Sequence, residues 1–113
     1  MRTRYFISLP EPEKARGDEA WSFKSHSAEG FAEELQSALR GTSLFQSWLV
    51  VQDDPDAIDP ALADTDPEAQ VTGKMDDLHI DLEVLTRLSG DVLKHRLRLL
   101  AGSHWQLRDV RAG

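Results

Sequence analysis

The chain has 113 residues, 40% of them apolar, which suits one hydrophobic core and leaves no room for a second, so residues 1–113 are read as a single domain. The net charge of −7 disfavours a nucleic-acid partner, and the absence of cysteine excludes disulfides and thiolate metal centres. No apolar run approaches membrane-spanning length, and the stretch 5–9, cut off by Pro10, is too short for a signal-peptide core, so a cytoplasmic protein away from membranes is expected.

Tyr5, Ile7 and Leu9 alternate with Arg4, Phe6 and Ser8, which predicts a strand over 2–9. The charged segment 11–19 reads as an exposed loop, and the alternation of Trp21, Phe23 and Ser25 with Ser22, Lys24 and His26 predicts a second short strand. Ser27 can cap a helix near 28–40 in which Phe31, Leu35, Ala38 and Leu39 form one stripe, with Gly41 ending it. Ser43 and Gln46 have capping-box spacing, and Leu44, Phe45, Trp48 and Leu49 stripe a second helix near 43–52. Asp53-Asp54-Pro55 stops it, since carboxylates oppose the dipole at a helix C-terminus and proline cannot continue the ladder. The following stretch, 53–68, contains Asp54-Pro55, Asp59-Pro60 and Asp66-Pro67 and reads as an acidic loop, with Ala57, Ile58 and Leu62 as tethers to the core.

The second half, 69–110, divides into four alternating runs in one register. A turn at Asp76-Asp77 sets Gly73 against Ile80 and Val71 against Leu82, a turn at Gly90-Asp91 sets Leu88 against Leu93, and a loop at Ala101-Gly102-Ser103 sets Leu99 against Trp105. Strands are therefore predicted over 69–75, 78–88, 92–100 and 104–110. A helix over 90–101, with Ser89 as N-cap and Gly102 beyond its end, competes with the third strand. The strand is preferred because Arg96 would sit in the middle of the helix's apolar arc, whereas alternation keeps Lys94, Arg96 and Arg98 outside. The expected class is α+β: an antiparallel sheet with a C-terminal four-stranded meander and two helices packed on one face.

This register places Thr86, His95 and Asp109 in one row on the apolar face. A histidine beside an aspartate can act as a general base, but the row lies at the end of the sheet and no nucleophile motif accompanies it, so a structural pair is the plainer reading. His79, Asp81 and Glu83 alternate along the outer face of one strand. With Lys74 opposite His79 and Arg98 opposite Glu83, ion pairs are favoured over a metal, and no metal site is assigned. The aspartates of the acidic loop lack the EF-hand pattern. Arg87, Lys94, Arg96, Arg98 and Arg108 point together to the outer face, forming a basic patch that contrasts with the acids between Asp53 and Glu83, which Lys74 alone opposes. The stretch has neither a glycine-rich phosphate loop nor the interleaved aromatics of single-strand binders.

These features predict a protein-interaction module that engages a macromolecular partner through charged surfaces and needs no cofactor. The alternative is a small-molecule site or enzyme with a pocket between helices and sheet that contains His95 and Asp109. The oligomeric state is left open.

Overall fold

The computed structural model describes residues 2–113. It is an α+β fold with a four-stranded antiparallel sheet and helices. The elements run β1 (Thr3–Leu9), α1 (Pro12–Ala15), α2 (Ala28–Arg40), α3 (Ser43–Leu49), two 3₁₀ turns (Pro55–Ala57 and Pro60–Ala63), β2 (Gln70–Asp76), β3 (His79–Thr86), α4 (Gly90–Ala101) and β4 (Gln106–Ala112). The strand order is β2-β3-β1-β4, each neighbouring pair antiparallel. The chain therefore crosses over twice, from β1 to β2 through α2 and α3 and from β3 to β4 through α4, which is the split-βαβ, ferredoxin-like topology.

The predicted meander is corrected on two counts. Strand β1, predicted without a partner, is inserted between β3 and β4, and the segment predicted as the third strand is helix α4. The Ser89 hydroxyl accepts from the Val92 N–H at 3.4 Å, and Gly102 closes the helix with φ 62°. Val92, Leu93, Arg96, Leu97 and Leu100 are all buried, a helical spacing in which the arginine itself belongs to the inward arc.

Elsewhere the structure follows the local sequence signals in part. Helix α2 starts as its cap predicts, with Ser27 Oγ accepting from the Gly30 N–H at 3.0 Å. Helix α3 ends earlier than predicted, and its N-cap is Thr42 without a side-chain cap bond, so Ser43 opens the helix instead of capping it. The strand predicted over 21–26 is irregular backbone apart from a single bridge between Phe23 and Arg16; Phe23 donates its N–H to Leu100 O at 2.9 Å and packs its ring edge-on against Phe31 at 4.7 Å. Part of the loop predicted over 11–19 is the single turn α1, whose Pro12 and Ala15 are buried.

One face of the sheet holds the core. Tyr5, Ile7 and Leu9 from β1, Val71 from β2 and Ile80, Leu82 and Val84 from β3 meet Phe31, Leu35 and Leu39 of α2 and Leu93, Leu97 and Leu100 of α4. The β2–β3 faces are those the alternation predicts, but the register is one pair further along. Asp77-Leu78 forms the turn, Asp77 has φ 57°, and Asp76 pairs with His79.

The acidic connection is fastened at two points. The Asp66 N–H donates to Leu39 O at 2.8 Å, and its buried carboxylate accepts from Thr86 Oγ1 at 2.7 Å, from the Arg87 N–H at 3.1 Å and from the Glu68 N–H at 3.0 Å. Arg96, fully buried, donates to Ala38 O at 3.1 Å, to Asp64 O at 2.9 Å and to Leu62 O. Ala57 stays exposed and Ile58 and Leu62 are only half-buried, so the apolar tethers predicted there contribute less than these polar anchors.

Candidate ligand-binding face

Because both crossover helices lie on one side, the other side of the sheet is left uncovered. The paired registers lay its side chains out in rows running from β2 to β4. One row reads Thr72, Glu83, Phe6, Asp109; the next reads Lys74, Asp81, Ser8, Gln106. Beyond these, Asp76 and His79 face one another beside the hairpin turn. A shallow concavity of about 900 Å³ lies over this surface, lined among others by Phe6, Ser8, Thr72, Lys74, His79 and Arg108.

The face carries both signs of charge in close alternation. Arg4 is ion-paired with Glu83, Arg111 Nε meets Asp109 Oδ2 at 2.8 Å, and His79 Nε2 lies 3.3 Å from Asp81 Oδ1. The Arg111 guanidinium also stands over the Phe6 ring, 5.2 Å from its centre. Phe6 is thus an aromatic island at the middle of the sheet, between carboxylates and beneath a cation. Both edge strands are blunted, β2 by Lys74 and Asp76 and β4 by charged side chains and the register shift at Phe6/Ile7, so the face is more available than the edges.

The basic patch predicted on one outer sheet face is dispersed by the helix at α4. Arg108 alone of the five lies on the uncovered face. Arg87 follows β3 and donates to Thr65 O at 2.6 Å, within 3.8 Å of the Asp64 and Asp66 carboxylates. Lys94, Arg96 and Arg98 all belong to α4: Arg98 is exposed, Lys94 half-buried and Arg96 in the core. Arg4, Lys74 and Arg111 take their place on the sheet. Sequence periodicity identified the outward side of β2 and β3, but it could not show that β1 and β4 extend the same side.

Thr86, His95 and Asp109 are not brought together. Thr86 donates to Asp66; Asp109 lies opposite Phe6 on the uncovered face, and His95 lies on the helical side. The His95 ring packs against Trp48 at 4.8 Å and Phe45 at 5.7 Å, and its buried Nδ1 has no hydrogen-bond partner among the described residues. Burial, followed by the charges of Arg96 and Arg98, pushes the His95 pKa down. Neither the concavity over the sheet nor the one between α2 and Leu100 includes His95.

No protein-family model, curated protein or solved structure matches the chain. Among the described residues, no helix is long and apolar enough to cross a membrane.

Proposed function

We propose that the chain is a protein-interaction module that receives a polypeptide partner of mixed charge on the uncovered face of its sheet. The observation that carries the reading is the row Thr72, Glu83, Phe6, Asp109, which sets one aromatic side chain at the centre of a concave face and opposite charges around it. Aromatic anchors surrounded by polar and charged rims are the usual energetic plan of protein–protein interfaces. Carboxylates flanking the aromatic would repel phosphates, which favours a polypeptide over a nucleic acid. Alternating charges select a partner by complementarity and make association sensitive to salt. The proposal includes the cytoplasmic setting expected from the sequence.

The test is site-specific photocrosslinking in cells from position 6 and position 72 on the face, with position 33 on the exposed side of α2 as control. The reading expects one discrete protein adduct from the face positions, reduced by Arg108→Glu and by added salt. Adducts only from position 33 would overturn it. A covalent dimer from position 6, lost with Phe6→Glu, would replace the foreign partner with a second copy of this chain.

A further inference from the structure

We infer that Asp76, His79 and Asp81 form a binding site for a first-row divalent transition-metal ion of the zinc class. The tight turn at Asp77-Leu78 makes Asp76 and His79 direct cross-strand partners, and Asp81 follows His79 by two residues on the same face. Each offers one ligand atom, and the three atoms lie within 4.8 Å of one another. Such ions hold nitrogen and oxygen ligands at about 2.0–2.2 Å, which sets neighbouring donors roughly 3.0–3.5 Å apart. His79 Nε2 and Asp81 Oδ1 already stand at 3.3 Å, and the exposed Asp76 carboxylate lies within 4.8 Å of both, a gap that a side-chain rotation would have to close.

The donor set selects the class of ion. An imidazole nitrogen with two carboxylates suits zinc, cobalt, nickel or manganese, whereas calcium and magnesium sites are built from oxygen. Three protein ligands leave coordination positions free, and His79 and Asp81 also line the concavity over the sheet, so those positions open onto a space that a water or a donor group of another molecule can enter. The aspartates between Asp53 and Asp59 offer no comparable set, since they bring carboxylates without an imidazole. The metal reading is distinct from the docking of a polypeptide and is measured without any partner.

Lys74 supplies an internal control. It is the cross-strand partner of Asp81, and its cation competes with the metal for that carboxylate. Removing the charge should therefore strengthen binding, a direction opposite to that of every ligand substitution.

The experiment is titration of the full chain with zinc chloride in a non-chelating buffer, followed by calorimetry and by the histidine ring signals in NMR. One saturable site is expected, with the His79 signals shifting while those of His26, His95 and His104 stay in place. His79→Ala should abolish the site, Asp76→Asn and Asp81→Asn should each weaken it by about tenfold or more, and Lys74→Gln should tighten it several-fold. Circular dichroism checks that these hairpin variants remain folded. Failure to saturate at millimolar zinc, or binding unchanged by His79→Ala, would overturn the inference. So would weaker binding in Lys74→Gln.

Discussion

The Arg96 guanidinium reaches from the middle of α4 to the Ala38 carbonyl near the end of α2, with Nε donating across 3.1 Å in a fully buried setting. Its other nitrogens hold the Leu62 and Asp64 carbonyls, and its face stacks on the Phe45 ring 4.9 Å away. One side chain thus joins two crossover helices to the acidic connection through a planar fork of donors. Burial pushes the Arg96 pKa down, but guanidinium stays charged in proteins, so three carbonyls and an aromatic face share the cation.

Replacing Arg96 with methionine should cost about 3 kcal/mol or more, because the buried Ala38 carbonyl and the part-buried Leu62 and Asp64 carbonyls lose a charged donor. Lysine should rescue little, since a single ammonium cannot span the same three acceptors. Urea unfolding measures both. A loss below about 1 kcal/mol for the methionine variant would show that the carbonyls find other partners.

Asp66 ties the same connection to α2 through its N–H and to the end of β3 through its carboxylate. Burial alone would raise its pKa, but hydrogen bonds from Thr86, Arg87 and Glu68, with the Arg87 charge, outweigh it and hold the carboxyl below its usual value. The stability it contributes is complete above the ordinary carboxylate range near about pH 4 and is lost as pH falls through the lowered folded value. Asp66→Asn should destabilise the neutral-pH protein by about 2 kcal/mol and flatten the acid limb of its stability curve. An unchanged acid limb would assign that slope to other carboxyls.

Gly73 lies where the start of α2 meets β2. A Cβ there would stand 2.5 Å from Ala28 O, a backbone atom that cannot turn aside. Gly73→Ala should therefore cost about 1–3 kcal/mol through forced separation of helix and strand. Thermal melts of the variant provide the measurement, and an undiminished midpoint would mean that α2 can shift freely.

What could be read locally came through: the Ser27 cap, the stripe of α2, and the inward side of β2 and β3. Each depends on residues near one another in the chain. The place of β1 depends on pairing with β3 and β4, separated from it by most of the sequence, and no local pattern encodes that choice. Helix α4 departs from the local pattern for a physical reason. A charge in the apolar arc counts against a helix only when nothing buried can receive it, and the acceptors of Arg96 come from Ala38, Leu62 and Asp64, which the sequence of α4 does not contain. The hairpin register differs by one pair because the turn residues are Asp77 and Leu78, with Asp77 in the left-handed region, and not Asp76 and Asp77. That slip separated Asp76 from His79 and put Lys74 in its place, which argued against a metal. The uncovered face was visible only in part, as its central aromatic and half of its charges come from the two strands whose pairing is non-local.

His95 provides the last prediction. It is wedged against Trp48 and Phe45 with Nδ1 unpartnered, and burial followed by Arg96 and Arg98 lowers its pKa. A depressed histidine pKa means that the fold prefers the neutral ring. Its contribution to stability is therefore complete above the ordinary imidazole value of about 6.5 and is lost as pH falls through the lower folded value. Acidification from pH 7.5 to 5.0 should destabilise the protein in part through this ring. His95→Phe keeps an aromatic body between Trp48 and Phe45 without a proton to bind, so the variant should lose less stability over the same interval. Urea unfolding of both proteins at the two pH values, with an NMR titration of the His95 ring, makes the comparison. Equal losses in the two proteins, or a ring that titrates at or above the ordinary value, would show that the packing against Trp48 and Phe45 admits the charged form.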